Sequence, residues 1–279
     1  MINFVKMHGI GNDFVMLDGI AQRLSSLSFP SLAREVCHRR FGVGADGLIL
    51  LEAAGDRQFR MRMWNPDGSE SEMCGNGIRC FAKLAADRGY SDGKIQVQTG
   101  AGLLEPEVLP DGRIRVDMGP GRLHRGEVGM EGPAGETFIE QTVTIDDLCW
   151  KGTAVSMGNP HLVIFVDDVA AIPLETWGPR IENHPLFPNR VNVHFAQVVS
   201  PTQIVQRTWE RGAGATLACG TGACSVAVAG RVTGRTDSNV TIELPGGELY
   251  IEAREGENVF MTGPAETVFV GTWPDPSED

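Results

Sequence analysis

The chain has 279 residues, roughly twice the usual domain length, and its 24 basic against 36 acidic residues leave a formal charge of −12. With 42% hydrophobic and 22% charged residues it reads as an acidic globular protein rather than a disordered chain. Nucleic acid and membrane surfaces are excluded as natural partners, because so negative a chain with no basic run longer than Arg39-Arg40 repels polyanions.

No segment offers the roughly 20 predominantly apolar residues that span a bilayer. The start, Met1 to Lys6, lacks the basic and apolar regions of a secretory signal. Six cysteines without any CxxC spacing fit neither a disulfide framework nor a zinc site. The expected location is the cytoplasm, and no metal is expected.

In chain order, Arg34 to Arg40 reads as a solvated helix face. Phe59, Met61 and Met63 alternate with Arg60 and Arg62, as in a half-buried strand. After Cys74 the positions Ile78, Phe81, Ala82 and Ala85 follow helical spacing and stop at Gly89, a C-terminal cap. Ile114 and Val116 alternate with Arg113 and Arg115 behind a Pro110-Asp111-Gly112 turn. After Cys219 the residues Ala223, Val226, Ala227 and Val228 are small and apolar almost all round, which predicts a buried helix with a sheet wrapped about it. Val240 to Glu243 and Leu249 to Glu252 form a predicted hairpin through Pro245-Gly246-Gly247. The last strand, Glu266 to Trp273, is expected to return to the first domain, and the tail Pro274 to Asp279 to fray. Cys37, Cys80, Cys149 and Cys224 are expected to be small buried hydrophobes.

An ordered set of short words occurs twice. Gly11-Asn12 returns as Gly158-Asn159, and a tryptophan follows the asparagine after 52 residues in one copy (Trp64) and 50 in the other (Trp209). Ten residues beyond each tryptophan comes a cysteine that opens CGxG, at Cys74 and again at Cys219. Leu109-Pro110-Asp111-Gly112 answers to Leu244-Pro245-Gly246-Gly247, and Gly119-Pro120 to Gly263-Pro264. A duplicated domain is the simplest account. The expected architecture is α+β, with two pseudo-symmetric domains over 1–118 plus 265–279 and over 119–264.

A glycine-rich turn before a helix points unpaired N–H groups outward, and the helix dipole adds positive charge, so each copy offers an anion cradle. Each cradle also carries a cysteine, whose pKa a helix N-terminus is expected to lower from about 8.5. A carboxylate held between two such cradles would place its α-carbon between two sulfurs. A thiolate could then remove the α-proton while a thiol delivers one to the opposite face, inverting the centre. No lysine lies in a phosphate loop of the kind that holds pyridoxal phosphate, so the helix ends would stabilise the carbanion. Three other functions remain open on the residues alone. These are a cysteine hydrolase, a thiol redox protein, and a cofactor-free racemase or isomerase for proline-like or aryl substrates.

The segments Met7 to Phe14, Trp64 to Ser69, Met73 to Cys80, Ser156 to His161, Glu210 to Gly214 and Ala218 to Ala223 resemble diaminopimelate epimerase, and the likeness spans nearly the whole chain. The resemblance implies a cofactor-independent interconversion of LL- and meso-diaminopimelate in lysine and peptidoglycan precursor synthesis. It also implies a homodimer in which each domain is a β-barrel-like sheet around a central helix. Carried over by position, Cys74 and Cys219 are the acid/base pair, and Gly75-Asn76 and Gly220-Thr221 donate to the α-carboxylate. Asn12, Asn65, Asn159, Asn192, Glu210 and Arg211 hold the substrate, and His161 and Glu210 match residues that tune the cysteines. The chain departs from the family pattern at Ala215, where relatives usually carry glutamate, and at Gly47, near which some carry a substrate-contacting glutamine.

Overall fold

The computed structural model describes residues 1–55, 58–146 and 148–275. From the N-terminus run β1 (Ile2–Gly9), β2 (Asn12–Asp18), α1 (Phe29–Val36), β3 (Gly47–Gly55), β4 (Gln58–Trp64), β5 (Glu70–Ser71), α2 (Gly75–Asp87), β6 (Gln96–Thr99), β7 (Gly102–Leu104), β8 (Glu107–Val108) and β9 (Ile114–Asp117). There follow α3 (Arg125–Val128), β10 (Gln141–Ile145), β11 (Leu148–Ser156), β12 (Pro160–Phe165), α4 (Leu174–Glu182), β13 (Asn192–Ser200), β14 (Gln203–Glu210), β15 (Gly214–Thr216), α5 (Gly220–Val232), β16 (Asn239–Leu244), β17 (Gly247–Glu252), β18 (Phe260–Gly263) and β19 (Glu266–Trp273). Residues 276–279, in the tail expected to fray, lie outside the described residues.

Two compact units result, Met1–Val116 with Gly263–Asp279, and Asp117–Thr262. In the first, the strand order is β19-β1-β2-β3-β4-β6-β7, with β5 on β4. In the second, β10-β11-β12-β13-β14-β16-β17-β18 follow one another, with β15 on β14. The pairing sense repeats. From β1 to β7 it runs antiparallel, parallel, antiparallel, parallel, antiparallel, and from β11 to β17 it does the same. Each parallel step needs a crossover. The helices α1 and α4 serve the first crossover in each unit, and α2 and α5 the second.

Both faces of the central strands are buried, which explains the near-continuous apolar run Gly47 to Leu51. In the first unit Val15, Leu17, Leu48 and Leu50 join Leu32, Ala33 and Val36 of α1 in one core cluster. A second, larger cluster around Ile164, Val193 and Phe195 packs with Leu174 and Ile181 of α4. The inward faces meet α2 and α5. The helix α5 packs on β11, β12, β13, β16 and β17, strands from both ends of the order, so the sheet curls around it. The alternating strands predicted around Met61, Val116, Ile242 and Ile251 are present, with those four residues buried.

The two central helices are built alike. Each has 13 residues and a cysteine at its N-cap. Gly89 and Gly234 stand just past their ends with φ of 73° and 68°, the left-handed conformation that glycine adopts without steric cost. Tyr90 N–H returns to Ala85 O and Gly89 N–H to Ala86 O, and the same two bonds recur from Arg235 to Gly230 and from Gly234 to Arg231. Among the remaining cysteines, Cys37, Cys80 and Cys224 are buried as expected, and burial pushes Cys37 and Cys80 up to about 12. Cys149 is exposed, contrary to expectation, because it lies on the exposed outer stretch of β11 facing Thr144 of β10.

Candidate active site

In the first unit Cys74 takes the N-cap of α2 with extended backbone (φ −136°, ψ 125°). The first intrahelical bond runs from Ile78 N–H to Cys74 O, so the N–H groups of Gly75, Asn76 and Gly77 lie ahead of the helical ladder. Asn12 Oδ1 accepts from the Cys74 sulfur at 3.5 Å and from Asn76 Nδ2 at 3.0 Å. The other end of that amide donates to Asp46 Oδ2 at 2.7 Å. Asp46 in turn accepts from Arg39 at 2.6 Å and from the Asp13 N–H at 3.1 Å. Burial alone would raise the Asp13 carboxyl, but Arg39 and the buried Lys6 hold it down at about 2. A carboxylate thus decides which end of the Asn12 amide faces the thiol.

Arg39 corrects a sequence expectation. The helix α1 ends at Val36, and Arg39 reaches back to Asp13 and Asp46 instead of lying on a solvated helix face. Asn65 is placed in the β4–β5 turn, where its Nδ2 donates to Ser69 Oγ at 3.0 Å. Gly47 is closely packed, since a Cβ there would come within 3.0 Å of Met63 Cε and 3.1 Å of Trp64 O. Ala215 is exposed on β15, opposite Trp209.

In the second unit Cys219 caps α5 with nearly the same backbone (φ −130°, ψ 104°), and Ala223 N–H makes the first helical bond to its carbonyl. Its sulfur lies 3.8 Å from Thr221 Oγ1. A helix N-terminus was expected to lower this thiol's pKa. Instead burial, then the Glu210 charge, then a hydrogen bond to Glu210 push it well above the usual thiol range. The Gly222 N–H and the Thr221 hydroxyl pull the other way and lose. Cys219 is only 4% exposed, and desolvation of a thiolate outweighs partial dipole charges.

Asn192 is buried; its Oδ1 accepts from Arg211 N–H at 2.9 Å and its Nδ2 donates to Pro160 O at 2.9 Å. The exposed Arg211 guanidinium reaches Asn189 O at 3.0 Å. His161 is fully buried, with Nε2 at 2.8 Å from Asn159 Oδ1 and Nδ1 at 2.8 Å from His194 Nε2. Burial holds both rings neutral. It lowers His194 to about 3, and His161 falls well below its ordinary value with the neighbouring His194 and Arg211 adding to the effect.

The structure therefore gathers Cys74, Asn12 and Asn76 in one unit. In the other it gathers Cys219, Glu210 and Thr221, and it joins His161 to Asn159 and Arg211 to Asn192. Sequence reasoning missed Asp46 and His194. Asp46 carries no signal of its own in a Gly-Ala-Asp-Gly loop, whereas His194 could have been found by aligning the two copies.

Comparison with known proteins bears on both the class and the family. The fold is that of a probable proline racemase from Agrobacterium radiobacter K84, at a TM-score of 0.69 and 16% identity over 99% of this chain and 94% of that one. The profile of the family described as diaminopimelate epimerase matches residues 4–124 and 153–268. The diaminopimelate epimerase of Moorella thermoacetica is 50% identical over 279 residues, covering 98% of this chain and 99% of the relative. That of Pelotomaculum thermopropionicum is 51% identical over 278 residues, with the same coverage. These relatives make the chain an epimerase, an enzyme of the isomerase class. The chain belongs to the diaminopimelate epimerase family.

Proposed function

We propose that the protein interconverts LL- and meso-2,6-diaminopimelate in lysine and peptidoglycan precursor synthesis, with Cys74 and Cys219 as the two proton carriers. The observation that carries the reading is the matched pair of cradles, two helices of equal length each capped by a cysteine and opened by CGxG, in a chain about half identical to diaminopimelate epimerases over nearly its full length. The α-carboxylate of the substrate is held by the N–H groups of Gly75, Asn76, Gly220 and Thr221. Asn12, Asn65, Asn159, Asn192, Glu210 and Arg211 hold the remainder.

One sulfur, as thiolate, takes the α-proton; the C–H electron pair moves toward the carboxylate, where fixed N–H dipoles stabilise it. The other thiol gives its proton to the opposite face, and the product leaves with the two sulfurs' protonation exchanged. Burial and Glu210 keep a proton on Cys219, which suits it to act as the acid in one direction. The same change, with the roles swapped, completes the return. No cofactor takes part in this scheme.

The test is incubation in D₂O with the LL isomer. The wild-type enzyme is expected to place deuterium at the α-carbon, and Cys74→Ser and Cys219→Ser each to lose about 10³-fold or more of the isotope uptake, on the scale of general acid/base catalysis. Full uptake in either variant would overturn the pair. Proline, offered in place of diaminopimelate, is expected to stay unlabelled.

A homodimer in the cytoplasm completes the proposal. No helix among the described residues is long and apolar enough to cross a membrane. The strand β19 stands at the end of its sheet order, with Val268 54%, Phe269 45% and Val270 71% exposed. An uncovered apolar strand edge suits pairing with a second copy. Sedimentation should give a dimer, and Val270→Lys should shift it toward monomer.

A further inference from the structure

The two units are in register along their central elements. Ile49, Met61, Met63, Trp64, Cys74, Gly77 and Gly89 each correspond to a residue 145 positions on, namely His194, Gln206, Thr208, Trp209, Cys219, Gly222 and Gly234. Strand pairing agrees, with Ile49 opposite Met63 and His194 opposite Thr208. Phe14 pairs with Gly47 as His161 pairs with Asn192, so His161 stands where the first unit has Phe14. Beneath α2 the floor is therefore Phe14, Ile49, Met61 and Met63, all buried and apolar. Beneath α5 the same four places hold His161, His194, Gln206 and Thr208, all buried and polar.

Burying four polar side chains where the fold accepts apolar ones costs free energy unless every group is paired. Gly222 makes room for the ring, since a Cβ there would stand 2.3 Å from His194 Cε1. The polar floor is thus dispensable for the architecture, and its hydrogen bonds form a chain leading outward. The Thr208 hydroxyl and Gln206 Nε2 lie 3.0 and 3.1 Å from His194 Nδ1. His194 Nε2 lies 2.8 Å from His161 Nδ1, and His161 Nε2 lies 2.8 Å from Asn159 Oδ1.

Two neutral rings in series admit two directions of donation. In one, both rings carry the proton on Nε2, the commoner form of a neutral imidazole, and Gln206 Oε1 is the group left without a partner among the described residues. In the other, both rings take the less common form and an N–H of Gln206 is stranded instead. A stranded buried N–H is the rarer and costlier defect, so the first direction holds.

We infer that His194 is a positioning residue for the reaction. It locks His161 as the Nε2–H tautomer, so that His161 binds the Asn159 amide oxygen and turns the amide Nδ2 outward as a hydrogen-bond donor to the substrate. The inference rests on the proposed reading of Asn159 as a substrate contact. It makes His161 a fixed dipole rather than a proton carrier.

The experiment uses the full-length enzyme labelled with ¹⁵N-histidine. In the wild type, two-bond ¹H–¹⁵N spectra should show His161 and His194 neutral and Nε2-protonated at every pH from about 5 to 9. The variant His194→Ile/Gln206→Met/Thr208→Met places the first unit's apolar residues at three of the four floor positions and keeps His161 as the probe. It should lose the single-tautomer signature of His161 and raise KM for diaminopimelate about tenfold, the worth of one hydrogen bond to a charged group, with kcat changed much less. The single variant His194→Gln, whose amide can still donate to His161 Nδ1, should keep both readouts near their wild-type values. A wild-type His161 that is Nδ1-protonated or charged overturns the inference, as does a triple variant with unchanged spectrum and KM. A wild type that fails to label diaminopimelate in D₂O sinks the proposed reaction instead, and leaves the tautomer result standing.

Discussion

The cradles of the first and second units share a backbone and differ in what lies under it. Both begin with a cysteine in extended conformation, run 13 residues and end on a left-handed glycine. Under α2 the second glycine of CGxG, Gly77, faces Ile49 Cδ1, to which a Cβ would come within 2.8 Å. Under α5 the matching Gly222 faces the His194 ring. The cysteines differ accordingly. Cys74 is half-buried and touches an amide oxygen, whereas Cys219 is buried against Glu210. Duplication preserves the backbone of the cradle, and the side chains beneath and beside it are where two formally equivalent thiols become chemically distinct.

The largest stability contrast is expected from the paired glycines. Helix propensity favours alanine over glycine by about 1 kcal/mol at either site, so any difference comes from the floor. Gly222→Ala drives a methyl into a rigid ring held by hydrogen bonds on both sides and should destabilise by about 3 kcal/mol, against about 1 kcal/mol for Gly77→Ala, where the end of a flexible Ile49 can yield. Urea unfolding of the two variants measures this. Equal costs would break the comparison, and recovery of Gly222→Ala in the background of the triple variant would sharpen it.

An effect of similar size separates the floors by pH. His194 is lowered from 6.5 to about 3 by burial. As pH falls below 6.5 the unfolded chain takes up a proton that the native ring refuses, so native stability declines until about pH 3. Between pH 7 and 4.5 this ring accounts for about 2 to 3 kcal/mol. The floor of the first unit has no such ring, and the depressed Asp13 carboxyl beside it loses its contribution as pH falls from 3.8 toward about 2. Unfolding free energies measured down this range should fall less steeply, by one proton, in the triple variant that lacks His194. An unchanged slope would mean that His194 is protonated in the native state.

Much of the fold was legible because repetition and periodicity are local. The CGxG words, the helical spacing of Ile78, Phe81 and Ala85 and the alternation around Met61 mark the elements, and the cap glycine at 89 foretells its twin at 234 once the copies are aligned. What lay beyond reach was set by partners distant in sequence. Arg39 is tied to Asp13 across 26 residues, Asn12 is turned by Asp46 across 34, and Cys149 is exposed because of where its strand lies in the sheet.

The amino-acid order alone determined that there are two cradles and which two cysteines open them, since a glycine turn before an apolar helix is a matter of neighbours along the chain. Tertiary structure decided how those thiols behave. Burial and the Glu210 carboxylate at the end of β14 overrule the helix dipole at Cys219, because removing a charge from water costs more than partial dipole charges return. Tertiary structure also decided that His161 has a buried twin, because hydrogen bonds between strands depend on register, which only the folded sheet sets.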